Sequence, residues 1–186
     1  MDGGPSGRRL FLQRSRFARL SAVRSDDDKW MGQALRLARA AGRKGEVPVG
    51  AVVVSGGRIA GRGANGPIGA RDPTAHAEVM ALRRAARAAG NYRLTAATLY
   101  VTLEPCLMCL GAMVHARIDR LVYGARDPRV GSTSLLKKTG PGLNHRFGVV
   151  GGVRGEECAA VLQEFFRRRR ARSRPAARPS ARRGRR

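Results

Sequence analysis

The chain has 186 residues, 37 of them Lys or Arg against 13 Asp or Glu, for a formal charge of +24. That length suits one domain with tails, and a hydrophobic share of 42% excludes wholesale disorder. The longest strand-like apolar run, Pro48 to Val54, is far short of the ~20 residues of a membrane helix, so an integral membrane protein is not expected; the charge makes polyanions, meaning RNA, DNA or an anionic membrane surface, the leading partner class.

Residues 1–28 hold six Arg and four Asp. They end in Asp26-Asp27-Asp28 and contain no apolar core of the roughly 7–15 residues a signal peptide needs. They read as a disordered basic extension. Asp26 to Asp28 can cap a helix from about Lys29 to Arg43, with Trp30, Ala34, Leu35, Leu37 and Ala38 as its apolar side. A hairpin follows: Val47 to Val54, a turn at Ser55-Gly56-Gly57, and a return over Arg58 to Gly63. Asn65-Gly66-Pro67 marks a loop. Asp72-Pro73-Thr74 starts a helix that Gly90-Asn91 stops.

Ala97 to Leu103 predicts a strand, and Pro105 opens a helix to about Ala116. Arg120 to Tyr123 is the next strand. Residues 125–144 are loop-rich, with a short helix at Leu135-Leu136. Phe147 to Val150 is a short strand, and Glu156 to about Arg170 a final amphipathic helix. Beyond Arg170 the Arg/Ala/Pro/Ser composition cannot build a core, so 171–186 reads as a disordered Arg-rich tail and 29–170 as the domain. The order α-β-β-α-β-α-β-β-α places helices against a mixed five-stranded sheet.

Residues 29–166 carry a net +11, and residues 167–186, with eleven Arg and no acid, another +11. Only four basic residues are lysines. The tail is therefore either a nonspecific polyanion arm or a drift in composition. The three cysteines, Cys106, Cys109 and Cys158, do not form a secreted disulfide framework, and a reducing cytosol suits them better.

Thr74-Ala75-His76-Ala77-Glu78 and Pro105-Cys106-Leu107-Met108-Cys109 carry the chemistry. Cys106 and Cys109, three apart, share a helical face near a helix start, where free N–H groups and the dipole favour thiolates. His76, near its own helix start, can add a nitrogen if the two starts converge. Three protein ligands plus water is the catalytic zinc arrangement, and such a metal brings the pKa of its water to roughly 7. Glu78 lies about 200° round a regular helix from His76, so it suits proton transfer better than ligation. C-x-x-C also fits a dithiol redox pair, and His115 or His145 could close a structural site. For His115 a helix-terminal cation and for Cys158 a buried small hydrophobe are the plainer readings.

H-x-E followed by P-C-x-x-C is the signature of zinc-dependent nucleobase deaminases. More broadly, the chain resembles the bacterial tRNA-specific adenosine deaminases from about Lys29 to Arg170. The likeness rests on Gly45-Glu46-Val47-Pro48-Val49-Gly50-Ala51-Val52, Asn65 with Pro67-Ile68-Gly69, Asp72 to Glu78, and Asn91-Tyr92-Arg93-Leu94. It continues in Thr98 to Cys106, Gly124-Ala125-Arg126-Asp127, Leu143-Asn144-His145-Arg146 and Glu157-Cys158-Ala159-Ala160. The resemblance implies a three-layer α/β/α cytidine-deaminase-like fold, a homodimer and one Zn2+ per subunit; together with the cysteine reading, the expected protein is cytoplasmic with no membrane partner. It implies hydrolytic conversion of the wobble adenosine in the anticodon loop of an arginine tRNA to inosine. His76, Cys106 and Cys109 would hold zinc and Glu78 would shuttle protons. Asn65 and the Ala77 amide would bind the purine. Asp127, Phe165, Arg167 and Arg169 would face the anticodon loop. By themselves Asn65 also reads as a turn residue and Phe165 as a core residue.

Pro128 to Lys138 departs from the family, which has a Gly/Ala-rich turn and then a slightly longer segment with an acid. A small-molecule deaminase and a noncatalytic RNA-binding protein are the rival readings, and the intact Glu78 argues against the second. Deleting residues 171–186 removes seven arginines. The deletion is expected to weaken tRNA binding and flatten its salt dependence without changing the chemistry. A truncated protein with the parent's affinity and salt slope would leave the tail as compositional drift.

Overall fold

A computed structural model describes residues 22–138 and 143–173. The expectations for residues 1–21 and 174–186 lie outside that range. Helix α1 (Asp27–Arg43) leads to strands β1 (Gly50–Ser55) and β2 (Arg58–Ala64), a single-turn α2 (Pro67–Ala70) and helix α3 (Ala77–Ala89). Then come β3 (Thr98–Leu103), α4 (Leu107–Ala116), β4 (Arg120–Ala125), a short α5 (Leu135–Lys138), β5 (Gly148–Gly151) and α6 (Gly155–Ser173).

The five strands form one sheet in the order β2-β1-β3-β4-β5. β1 is antiparallel to both β2 and β3, and β4 is parallel to β3 and β5. Side chains alternate across it, so each strand feeds two cores. Ala51, Val53, Leu99, Val101 and Leu121 meet α3 and α4 on one face. Val52, Val54, Tyr100, Val122 and Val150 meet Trp30, Met31, Ala34 and Leu35 of α1 and Cys158 of α6 on the other. The result is a three-layer α/β/α fold. Among the described residues no helix is long and apolar enough to cross a membrane.

Strand direction decides where a site can form. All strands but β1 run the same way, so the segments leaving β2, β3 and β4 emerge at one edge of the sheet. These segments carry Asn65 to His76, Pro105-Cys106, and Asp127. β1 begins at that edge, where Val49 O accepts the Asn65 amide at 2.9 Å. Helix α3 lies against β2 with no room for side chains between them. A Cβ on Gly63 would sit 1.9 Å from Ala77 O, and one on Gly61 would sit 2.2 Å from Ala81 O.

Several helix boundaries differ from expectation, α4 among them, which starts at Leu107 rather than Pro105; three others have local reasons. α1 starts two residues before Lys29. Asp26 stands at its N-cap without a side-chain cap bond, and Asp27 turns inward. There Asp27 accepts two bonds of 2.7 Å from Arg120, one of 2.9 Å from the Tyr100 hydroxyl and one of 2.8 Å from the Arg24 amide. α3 starts at Ala77 rather than near Asp72. Asp72 instead closes a turn, accepting both the amide and the hydroxyl of Thr74 at 2.7 Å. α6 continues to Ser173, past Arg170. Glu164 pairs with Arg167 and Arg168 one turn on and supports the extra length.

Asp27 and Arg120 are both fully buried, so neither tolerates loss of the other. Arg120→Met is expected to cost about 3–5 kcal/mol in urea unfolding, because it strands a buried carboxylate. Burial opposes ionisation of Asp27, but the bonds from Arg120, Arg24 and Tyr100 outweigh it and hold the pKa below its ordinary value. The pair's stabilisation is therefore complete above the unfolded carboxylate pKa of ~3.9 and is lost as pH falls through the lower native value. Asp27→Asn should remove that acid-side loss from a stability-against-pH profile.

Candidate metal centre and active site

Two helix starts converge at the sheet edge. His76 is the N-cap of α3 and Cys106 the N-cap of α4, both with extended backbone. The sequence places both residues inside first turns; the structure puts each just before its helix, at the N-cap. The Asp72 turn delays α3, and Pro105 passes directly from the end of β3 into Cys106. Cys109 does lie in the first turn of α4 and is buried. Each cap carbonyl accepts the first helical bond, Met80 N–H to His76 O and Leu110 N–H to Cys106 O, both at 3.0 Å.

His76 Nδ1 lies 3.7 Å from Cys106 Sγ and 3.6 Å from Cys109 Sγ, and the two sulfurs are 3.7 Å apart. A tetrahedral centre with metal–sulfur bonds of ~2.3 Å and metal–nitrogen bonds of ~2.0–2.1 Å requires edges of about 3.8 and 3.5–3.6 Å. The three atoms therefore stand at the corners a metal ion of that size needs. Among the described residues this is the one His/Cys/Asp/Glu group so clustered, and Glu78 is not in it. Neither His115 nor His145 joins it; His145 Nε2 lies 2.6 Å from Ile118 O.

Electrostatics agree with the geometry. The thiol–thiol bond with Cys109 lowers the Cys106 pKa to about 5, with help from nearby backbone N–H groups and against burial. The same bond, together with burial, pushes Cys109 far up. A bound cation would displace the thiol protons and hold both sulfurs as thiolates. Glu78 is the second residue of α3 and only 4% exposed. Burial raises its pKa, while its own amide and Cys109 oppose the rise. A carboxyl so placed can hold a proton at pH values where a surface glutamate has lost it.

The other expected site residues are spread out. Asn65 is half-buried at the end of β2, and Ala77 is buried as the first residue of α3, with its amide among those lacking a helical partner. Asp127 Oδ1 accepts the amides of Arg129 at 2.9 Å and Val130 at 3.2 Å, shaping its own loop. A cleft of about 660 Å³ runs between that loop and α6, lined by Leu103, Arg126, Asp127, Leu162, Phe166 and Arg170 among others. Phe165, Arg167 and Arg169 are not in its lining. Phe165 packs edge-on to Phe166 at 5.4 Å and near Gly42 of α1, and Arg167 pairs with Glu164 at 2.6 Å. Sequence reasoning missed Phe166 and Arg170, because the phase of α6 against the sheet is not visible from its own residues. It also missed Glu104, a buried acid directly before Pro105-Cys106. The available signal was the rarity of acids in so basic a chain.

Cys106→Ser is expected to lose metal and thermal stability together, since the site's ligands also join two helix starts. Metal analysis and a melting curve on one preparation check this. Retention of a full metal equivalent would exclude Cys106 as a ligand.

A family profile described as MafB19-like deaminase matches residues 25–170. The tRNA-specific adenosine deaminase of Haemophilus influenzae is 50% identical over 152 residues, covering 80% of this chain and 88% of that one. A structure described in work on A-to-I editing by tRNA:A34 deaminases at the wobble position shares 44% identity at a TM-score of 0.69, covering 72% of this chain and 99% of that one. The guanine deaminase of Bacillus subtilis is more distant, at 39% identity and a TM-score of 0.52, covering 56% of this chain and 66% of that one. The chain belongs to the tRNA-specific adenosine deaminase family, with its MafB19-like deaminase domain spanning residues 25–170.

Proposed function

We propose that this protein is a zinc-dependent hydrolase that converts the wobble adenosine of a tRNA anticodon, in an arginine tRNA, to inosine. The observation that carries the chemistry is the three-ligand cluster with a protonatable, buried Glu78 beside Cys109. Likeness to tRNA-specific adenosine deaminases, covering most of both chains, supports the choice of substrate.

His76, Cys106 and Cys109 would hold the zinc ion. Zinc in such a site supplies Lewis acidity that makes a nucleophile from water near neutral pH. The overall reaction consumes one water and releases one ammonia, so a proton must travel from the attacking water to the departing amine. Glu78 would carry it, taking the proton at its carboxylate and giving it to the amine nitrogen. Asn65 and the Ala77 amide would hold the purine ring at the edge where β2 ends. The adenosine must leave the anticodon stack to reach them, as in other enzymes that act on bases. Asp127, Phe165, Arg167 and Arg169 would meet the surrounding loop nucleotides. Unstacked loop bases are read by aromatic faces and Arg planes, and α6 presents both. On the same reading the enzyme works as a homodimer in the cytoplasm.

Zinc-loaded protein incubated with an arginine tRNA bearing adenosine at the wobble position is expected to yield inosine, read by sequencing. No conversion would reject this substrate. Ammonia release from free guanine with tRNA inert would favour the activity of the more distant guanine deaminase relative. Glu78→Ala is expected to keep its zinc and lose turnover by roughly 10²-fold or more, the lower end of what a positioned acid–base contributes. Loss of zinc in that variant would make Glu78 a ligand instead.

A further inference from the structure

Glu104 is 6% exposed and lies between β3 and Cys106. A buried carboxylate needs donors, and those of Glu104 come from one loop. Its Oε2 accepts the Asp127 amide at 3.2 Å. Its Oε1 accepts the Thr133 amide at 3.3 Å and the Thr133 hydroxyl. One more bond closes the loop onto the same junction, Ser132 N–H to Pro105 O at 3.0 Å, and Gly131 N–H to Asp127 O at 3.1 Å tightens the loop itself. Gly131 leaves room for this; a Cβ there would lie 2.5 Å from Glu104 Oε2 and 2.4 Å from Asp127 O. The loop so held supplies Arg126, Asp127, Pro128, Arg129 and Val130 to the wall of the cleft facing α6.

We infer that Glu104 is a positioning residue, which anchors the Asp127–Thr133 loop to the junction presenting Cys106 and so sets how RNA engages the site. The inference rests on the deaminase reading above. Thr133 lies in the stretch where this chain departs from its family's usual pattern. Its hydroxyl couples the loop that faces α6 to the junction that presents Cys106.

The full-length, zinc-loaded protein and an anticodon stem-loop RNA with a wobble adenosine test this. Thr133→Val removes the hydroxyl donor while keeping size and branching. It should raise KM for the stem-loop about tenfold, with a smaller change in kcat, because a charge-assisted bond is lost from the loop. Thr133→Ser should restore the parent value. Glu104→Gln, which keeps one acceptor oxygen, should raise KM in the same direction. Hydrogen exchange at the Asp127 and Thr133 amides should quicken in Thr133→Val and Glu104→Gln, with zinc content unchanged. Unchanged KM and exchange in Thr133→Val would overturn the inference. So would a joint fall of kcat and zinc, which marks a merely structural residue. If the parent does not deaminate RNA at all, the functional reading fails, and the exchange measurement alone decides whether Glu104 holds the loop.

Discussion

Three side-chain atoms from two helices must stand within 3.7 Å of one another, and much of the architecture follows from that demand. A helix start is stiff, so its N-cap cannot reach out to a ligand partner. The helices themselves must be brought together. α3 is set by direct backbone contact with β2, which Gly61 and Gly63 permit. α4 is set by the end of β3. Because β2 and β3 flank β1 and run the same way, their downstream segments meet at the same sheet edge. The converging N-termini also bring positive dipole ends to the place where thiolates are needed.

Several of the scarce acids serve the interior. Asp27, Glu46, Glu78 and Glu104 are all buried, a large share of 13 in a chain of net charge +24. Each has a specific task. Asp27 neutralises Arg120, the one buried arginine among the described residues. Glu46 accepts the Gly69 amide at 2.7 Å and fixes the turn beyond Asn65. Glu78 stands beside Cys109, and Glu104 ties down the loop after β4. Drawing carboxylates inward leaves the outside more positive than the formal charge suggests, which favours a polyanionic substrate.

Much of the fold was legible in the chain. The hairpin around Gly56-Gly57, the strand before Pro105 and the amphipathic last helix all showed in local patterns. Helix starts were less legible. Asp72 and Asp26 are both cap-type residues, but Asp72 closes a turn of its own and Asp26 makes no side-chain cap bond. The neighbouring Asp27 serves a partner 93 residues away. Local propensity cannot separate these fates, since the same short carboxylate satisfies a helix end, a turn or a distant guanidinium equally well.

The sequence by itself determined the chemistry: one His and two Cys with metal-ligand spacing, a Glu two residues from the His, and a basic chain around them. Those properties depend on residue type and short-range spacing, which folding does not alter. Only the tertiary structure decided the distances among the three candidate ligand atoms, the burial that raises the Glu78 pKa, and the Glu104 anchor on the Thr133 loop. It also decided which face of α6 looks into the cleft, placing Phe166 there rather than Phe165. Each of these joins segments tens of residues apart, and their meeting is set by strand order and helix packing rather than by any pattern within one segment.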